Sequence, residues 1–348
     1  MSHQFSEDIP AHKSIYTDSP IERTIHIEYG IPEEGVNSQT GLLVVLSGYG
    51  GDASANVHRH MREDFTDKWN LIVLHIDYFG LSYMQSCDPK VKEFLSNPRL
   101  VGGSFVWVAD LQENENDFND MGIMQAIDVV YAVKYIYDKY EGIIDADKMV
   151  IFGTSHGGYL AHLANIICPE LFSHIIDVSC YIVPYYLDND RSLEMNFNDG
   201  RYVVKNIFRY HVNSFGPAYD PALYDLSFLY RQIKNKSKII ALHGTEDWMV
   251  DWQQKKSMID RIDNAEMMLF EEKDVDGEVI KNADHGLGLD FLKFLDMYLE
   301  IIFKGSKRKA DKSRLFKPAT LRNLLEMRTV DDKIVIAHVK GVNKWEKE

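Results

Sequence analysis

The chain has 348 residues, enough for one large domain or two smaller ones, and its 45% hydrophobic and 26% charged residues are ordinary for a globular protein. A formal net charge of −15 repels polyanions, so we expect no nucleic acid partner. No apolar run approaches the length of a membrane helix, the polar N-terminus lacks a secretory signal, and the three widely spaced cysteines suit a reducing compartment, so the sequence predicts a cytoplasmic protein without a membrane span.

Strand and helix patterns alternate along the chain. Continuous apolar runs rich in Val and Ile predict strands at 21–31, 41–48, 70–80, 148–153, 174–183, 238–244 and 266–272. Apolar residues at three-to-four spacing predict helices at 120–140, 157–167 and 289–303. This alternation predicts an α/β fold with a doubly wound, mostly parallel sheet.

The predicted domain spans residues 21–303, with an N-terminal extension at 1–20 and a basic tail at 304–348. The tail has 13 Lys and Arg against 6 Asp and Glu, a composition more typical of a solvated segment than of an anion-binding one.

Two long segments interrupt the alternation of strands and helices. Within 81–118, the stretch 103–118 reads as an irregular loop. The aromatic-rich insert 181–236 is either a cap over a substrate pocket or a small core of its own, and we favour the cap because ordered inserts at this edge of a sheet commonly shape substrate sites.

The motif GTSHG at 153–157 follows the apolar run KMVIF and precedes a helical pattern. G-x-S-x-G alone is a weak signal, but between a strand and a helix it predicts a nucleophile elbow that exposes Ser155 on a strained turn. Gly153 and Gly157 supply the space that the turn needs, and the following helix N-terminus favours developing negative charge.

A serine nucleophile needs a base and an acid that orients it, in the chain order Ser, Asp or Glu, His. His285, in a loop before the last predicted helix, fits the base, whereas His338 lies in a strand-like run of the tail and is assigned a structural role. Asp247 follows a buried strand and is the preferred acid. Its alternatives are Glu246, Asp251 and Asp177, and His243 is interpreted as a turn histidine rather than a second base.

Two backbone N–H groups are needed for an oxyanion hole. The backbone N–H of His156, the residue after the nucleophile, is predicted to be one donor. The second donor is predicted to be the N–H of Tyr49, in the glycine-rich loop after the strand at 41–48, with the N–H of Gly50 as the alternative. The pair His58 and His60 has no third ligand nearby and is assigned to a surface helix, so the sequence predicts no metal and no cofactor.

These motifs resemble the α/β-hydrolase superfamily over roughly residues 20–303. GTSHGGYL, LHGTEDWMV and ADHG are similar to the elbow, acid and base loops of prolyl-oligopeptidase-type and acetyl-esterase-type members. The elbow, IIDVSCY and SGYGG resemble more closely an uncharacterised bacterial family of α/β hydrolases known as a domain of unknown function. The resemblance implies the fold and a Ser-Asp-His site but no substrate.

The predicted function is a serine hydrolase that cleaves a small-molecule or glycan carboxylic ester through an acyl-enzyme. One alternative is an O-acyltransferase acting on a glycan, and another is a small peptidase, each with the same three residues. A non-catalytic binding protein on a hydrolase fold is less favoured because all three residues are present. The sequence does not indicate the oligomeric state.

Overall fold

The structure is a computed structural model. It describes residues 2–12, 23–87, 105–113, 119–187, 189–197, 202–210, 221–304, 309–321, 325–330 and 333–339. The strands are β1 His3–Pro10, β2 Thr24–Ile31, β3 Gly41–Leu46, β4 Leu71–Asp77, β5 Phe105–Gln112, β6 Met149–Thr154, β7 His174–Val178, β8 Arg191–Phe197, β9 Tyr202–Arg209, β10 Lys238–Gly244, β11 Ala265–Phe270, β12 Leu325–Val330 and β13 Lys333–Val339. The α-helices are α1 Asn56–Trp69, α2 Leu81–Met84, α3 Ile123–Lys139, α4 His156–Ile167, α5 Leu226–Leu229, α6 Trp252–Ile259 and α7 Phe291–Lys304.

Eight strands form the central sheet in the order β1-β2-β4-β3-β6-β7-β10-β11. The β1–β2 and β2–β4 pairs are antiparallel, and every pair from β4 to β11 is parallel. Because the inner strands are covered on both faces, β3 and β6 are almost entirely buried. Helices α3 and α4 pack on one face, while α1 and α7 pack on the other. The predicted α/β class with a mostly parallel sheet is confirmed.

The first strand lies in the segment that the sequence assigned to an N-terminal extension. All eight residues of β1 pair with β2, so His3–Pro10 forms the edge of the central sheet. Alternation in this strand is weak because it is mostly exposed, with only Ile9 buried, and so its sequence carries little apolar signal.

The irregular loop predicted at 103–118 is wrong for residues 105–112, and residues 103–104 and 114–118 lie outside the described part of the chain. Residues 105–112 form β5, which pairs in parallel with β9, and β9 pairs antiparallel with β8. This second, three-stranded sheet joins the two long segments that interrupt the domain. The pairing partners lie about a hundred residues apart, a distance over which a single sequence carries no pairing signal.

Part of the basic tail packs against the domain. Leu315 and Leu321 are fully buried, and the Ala319 N–H donates to the Ile167 carbonyl at the end of α4. Residues 340–348 lie outside the described residues, as do the side chains of β12 and β13, including His338.

Candidate active site

The chain reverses sharply between β6 and α4, at Ser155. Its backbone has φ 51° and ψ −117°, a strained conformation for a residue with a side chain, and its N–H donates to the Val178 carbonyl at 2.7 Å. A Cβ at Gly153 would lie 2.4 Å from the Gly157 carbonyl oxygen, and one at Gly157 would lie 2.4 Å from the Leu46 carbonyl oxygen. Backbone therefore crowds the turn from both sides, and only glycine fits at these two positions.

Three of the predicted residues meet at the carboxyl edge of the sheet. His285 Nε2 lies 2.8 Å from Ser155 Oγ, and His285 Nδ1 lies 2.9 Å from Asp247 Oδ2. The Asp247 carboxylate is buried and also accepts the backbone N–H groups of Met249 and Val250. Burial raises the pKa of Asp247, but its hydrogen bond to His285 and the charge of that ring outweigh burial, so the pKa is lower than usual. An ionised Asp247 holds the proton of His285 on Nδ1, which leaves Nε2 to accept the serine proton.

The alternative acids lie elsewhere. Asp251 caps the start of α6 by accepting two backbone N–H groups, and Glu246 accepts a hydrogen bond from the Thr245 hydroxyl. Asp177 is fully buried behind the elbow, where it pairs with Lys255 at 2.7 Å and His162 at 2.9 Å. Of the four carboxylates, Asp247 is the one in contact with His285.

The His156 ring is directed away from Ser155. It is fully buried, and its Nε2 lies 2.7 Å from Gln125 Oε1. Gln125 Nε2 donates to the Phe79 carbonyl, which leaves Oε1 to accept the proton from His156. Burial, followed by the charge of Arg191, lowers the pKa of His156 to about 3. The imidazole is therefore neutral, and only the backbone of His156 is placed beside the serine.

The glycine-rich loop after β3 approaches the serine from the other side. A Cβ at Gly48 would lie 3.6 Å from Ser155 Cβ, and the Gly51 N–H closes a turn onto the Gly48 carbonyl. Within the described part of the chain, the amides of Tyr49, Gly50 and His156 donate no hydrogen bond. None of these three amides is therefore committed to a hydrogen bond within the described residues.

Sequence reasoning did not identify Tyr78 or Ser179 as supports of these loops. Tyr78 is buried, and its hydroxyl donates to the carbonyls of Ser47 and Gly48. The Ser179 hydroxyl accepts the N–H of Gly286, next to His285. The signal for Tyr78 is its place immediately after β4, where side chains reach the same edge of the sheet.

Sequence reasoning also missed Tyr181 and Arg191. The Tyr181 hydroxyl lies 3.4 Å from Ser155 Oγ, and its ring stacks on His285 with centroids 6.1 Å apart. Arg191 begins β8, and its guanidinium lies 4.3 Å from the centre of the Tyr49 ring. Both residues belong to the insert at 181–236, and no local motif identifies either one.

His58 and His60 both lie on α1, and their side chains point in different directions, with that of His60 exposed. The His58 ring is buried, with Nδ1 2.7 Å from the Asp52 carbonyl and Nε2 3.2 Å from Ser47 Oγ. Helix α1 turns this residue inward, under the loop that carries Tyr49, so His58 supports that loop instead of facing solvent.

Comparison with known proteins identifies the family. A family profile described as protein of unknown function (DUF2920) matches residues 104–213 and 222–334, which include Ser155, Asp247 and His285. The chain belongs to this family. No curated protein matches the DUF2920 chain in sequence.

Solved structures share its fold. The peroxisomal α/β-hydrolase Lpx1 of Saccharomyces cerevisiae is similar with a TM-score of 0.53 and 12% identity, covering 89% of the DUF2920 chain and 92% of Lpx1. The apo form of Thermogutta terrifontis esterase 2 has a TM-score of 0.50 and 15% identity over 84% and 94% of the two chains. A hydrolase from Agrobacterium vitis S4 has a TM-score of 0.50 and 13% identity over 87% and 98%. The DUF2920 chain is thus an α/β hydrolase in fold. None of the helices in the described ranges is long and apolar enough to cross a membrane.

Proposed function

We propose that this protein is a serine hydrolase that cleaves carboxylic esters by means of Ser155, His285 and Asp247. One observation carries the proposal: the chain of hydrogen-bonding distances from Ser155 Oγ through His285 to Asp247, 2.8 Å and 2.9 Å long, at a serine held in a strained turn. A base in contact with the hydroxyl and an acid in contact with the base are the arrangement that activates a serine.

In the proposed reaction, Ser155 Oγ attacks the ester carbonyl while His285 Nε2 takes its proton. His285 then gives this proton to the departing alcohol, and the acyl group stays bound to Ser155 Oγ. A water molecule, deprotonated by the same nitrogen, hydrolyses the acyl-enzyme and restores the serine. Asp247 keeps the imidazole oriented and stabilises its positive charge throughout.

The negative charge on the carbonyl oxygen needs donors that are already in place. We assign this role to the backbone N–H groups of His156 and Tyr49, with Gly50 as the alternative to Tyr49. His156 opens α4, where the helix dipole favours an anion. The closeness of Gly48 to Ser155 brings the Tyr49 loop to the same side chain.

The insert at 181–236 is proposed to form a wall or cap of the substrate site. Tyr181 reaches Ser155 through its hydroxyl, and Tyr186 is fully buried against Tyr49, with ring centroids 5.5 Å apart. These contacts support a role for the insert in shaping the site, next to the loop that carries the proposed oxyanion donor.

Labelling with a fluorophosphonate probe and turnover of 4-nitrophenyl acetate test the proposal. The wild type is expected to label and to turn over the ester, and Ser155→Ala is expected to lose the label and at least about a thousandfold in kcat/KM. Ser257→Ala, on the exposed face of α6, is the matched control and is expected to behave as the wild type. Full turnover by a folded Ser155→Ala variant would rule out this mechanism, and a wild type that neither labels nor hydrolyses esters would favour the non-catalytic alternative.

A further inference from the structure

Arg191 is the first residue of β8 and lies among the aromatic side chains next to the elbow. Its guanidinium carbon lies 4.3 Å from the centre of the Tyr49 ring and 6.0 Å from that of Tyr186. Tyr49 follows Gly48, which packs against Ser155. Among the described residues of this aromatic cluster, Arg191 is the one positive charge that the insert contributes. It lies beside the loop that carries Tyr49, the proposed oxyanion donor.

No carboxylate among the described residues lies within ion-pair distance of this guanidinium. Arg191 forms no ion pair within the described ranges, and its Nε is buried without a hydrogen-bond partner there. Its neighbour in sequence, Asp190, pairs instead with Arg209 on the adjacent strand. A guanidinium that is partly removed from water without an anion is destabilising, and contacts with aromatic faces offset only part of that effect.

Arg209 shows the ordinary arrangement on the same small sheet. Its guanidinium is partly exposed and contacts two carboxylates, those of Asp110 and Asp190. Arg191 is more buried than Arg209 and has hydroxyl groups for neighbours instead. Arg209 is thus neutralised by acids within the described chain, whereas Arg191 is not. A guanidinium without an internal acid is the one that can bind an anionic ligand.

Two tyrosines connect Arg191 with Ser155. Arg191 Nη1 lies 3.5 Å from the Tyr186 hydroxyl, and the Tyr186 ring contacts the Tyr181 ring with centroids 6.0 Å apart. The Tyr181 hydroxyl in turn lies 3.4 Å from Ser155 Oγ. An anion bound by Arg191 would therefore lie close to an ester carbonyl at Ser155.

We propose that Arg191 binds a carboxylate of the substrate, so that the enzyme acts on carboxylic esters that carry a second, ionised carboxyl group. This inference rests on the proposed hydrolase function. A planar carboxylate matches the two-pronged guanidinium and, with one negative charge, balances it. A phosphate dianion would leave about one negative charge uncompensated among tyrosine hydroxyls, so a carboxylate is favoured.

The carboxylate can belong to the acyl group or to the alcohol, and two pairs of substrates separate these cases. For the acyl side, mono-4-nitrophenyl adipate is compared with the corresponding adipamate, which is nearly isosteric and uncharged. For the alcohol side, 4-acetoxybenzoate is compared with 4-acetoxybenzamide. The measured quantity is the ratio of kcat/KM for the charged ester to that for its neutral partner, in the wild type, Arg191→Gln, Arg191→Lys and Arg209→Gln.

We expect the wild type to prefer the charged member of one pair by at least about tenfold. The ratio is expected to fall to about one in Arg191→Gln, to be partly retained in Arg191→Lys, and to stay at the wild-type value in Arg209→Gln, which removes an arginine already paired with acids. Circular dichroism and thermal unfolding establish that each variant is folded. Ratios near one for both pairs in the wild type, or ratios that Arg191→Gln leaves unchanged, would overturn the inference.

A binding measurement separates failure of the inference from failure of the hydrolase mechanism. Calorimetric titration of Ser155→Ala with adipate and with adipamide requires no turnover. Binding of adipate alone, lost in Ser155→Ala/Arg191→Gln, supports the carboxylate site even where Ser155 fails to label with a fluorophosphonate. Labelling of Ser155 without any binding of adipate retains the hydrolase and removes the carboxylate site.

Discussion

Behind the elbow, one lysine neutralises a buried acid. Lys255 is fully buried, with Nζ 2.7 Å from Asp177 and in contact with Cys180 Sγ, and Asp177 also contacts His162. The ligand atoms of His162, Asp177 and Cys180 lie within 4.8 Å of one another, as in a metal site, but the lysine ammonium supplies the positive charge. Burial raises the pKa of Asp177, but the charge of Lys255 and the His162 hydrogen bond outweigh burial and lower it, so the carboxylate stays ionised.

Removing this lysine should therefore be far more costly than removing its exposed neighbour. Lys255→Met leaves Asp177 charged and buried without its main partner, and we expect a loss of about 3–5 kcal/mol in the free energy of unfolding measured with urea. Lys256→Met is the control, because Lys256 pairs with Asp260 at the surface, and we expect a change within about 0.5 kcal/mol. Equal losses in the two variants would show that the buried pair is not a stabilising element.

At the scale of elements, the elbow depends on how closely α4 approaches β3. A Cβ on Gly157 would lie 2.4 Å from the carbonyl oxygens of both Leu46 and Ser47, which belong to the backbone and cannot rotate away. We expect Gly157→Ala to lower the free energy of unfolding by about 3 kcal/mol or more and to abolish fluorophosphonate labelling of Ser155. Gly277→Ala is the control, since its Cβ meets nothing within 4 Å and its positive φ costs only about 1 kcal/mol. A stable, fully labelled Gly157→Ala would mean that the turn does not need glycine there.

The sequence predicts those elements whose signals are local. The parallel strands are continuous apolar runs, so β10 has its predicted bounds and β6 is displaced by one residue, while the elbow is a short motif between a strand and a helix. Strand β5 has no such signal, because it pairs with β9 about a hundred residues away, whereas β8 and β9 form a local hairpin. Tyr181 and Arg191 were missed for the same reason: only the path of the insert in space brings them to Ser155, and nothing in their immediate sequence marks them.

Across the described chain, lowering the pH protonates two sets of groups, and both changes destabilise the folded state. Buried histidines have lowered pKa values, including His75, His162 and His156, which therefore take up protons in the unfolded chain before the folded one. Glu7, whose pKa is lowered to about 2 and which accepts hydrogen bonds from Tyr29, Tyr135 and Lys139, loses stabilising contacts when it is protonated. Asp77 and Asp128 oppose the trend because burial raises their pKa values. His26 also opposes it, since burial lowers its pKa but the hydrogen bond to Asp8 and nearby acids raise it by more. These three are outnumbered by the described groups with lowered pKa values.

The free energy of unfolding should accordingly fall as the pH is lowered through about 6.5, where unfolded histidines become protonated, and fall further below about 4, where carboxylates follow. His156 contributes to this slope from its unfolded pKa of about 6.5 down to its folded value of about 3. Between pH 6 and pH 4, where the unfolded chain binds one more proton at this position, His156→Gln is expected to reduce the slope by up to about 1.4 kcal/mol per pH unit. Urea unfolding at pH 6, 5 and 4 measures the slope, with His60→Gln, whose side chain is 50% exposed, as the matched control. Equal slopes in the two variants would contradict a neutral, buried His156 beside the proposed nucleophile.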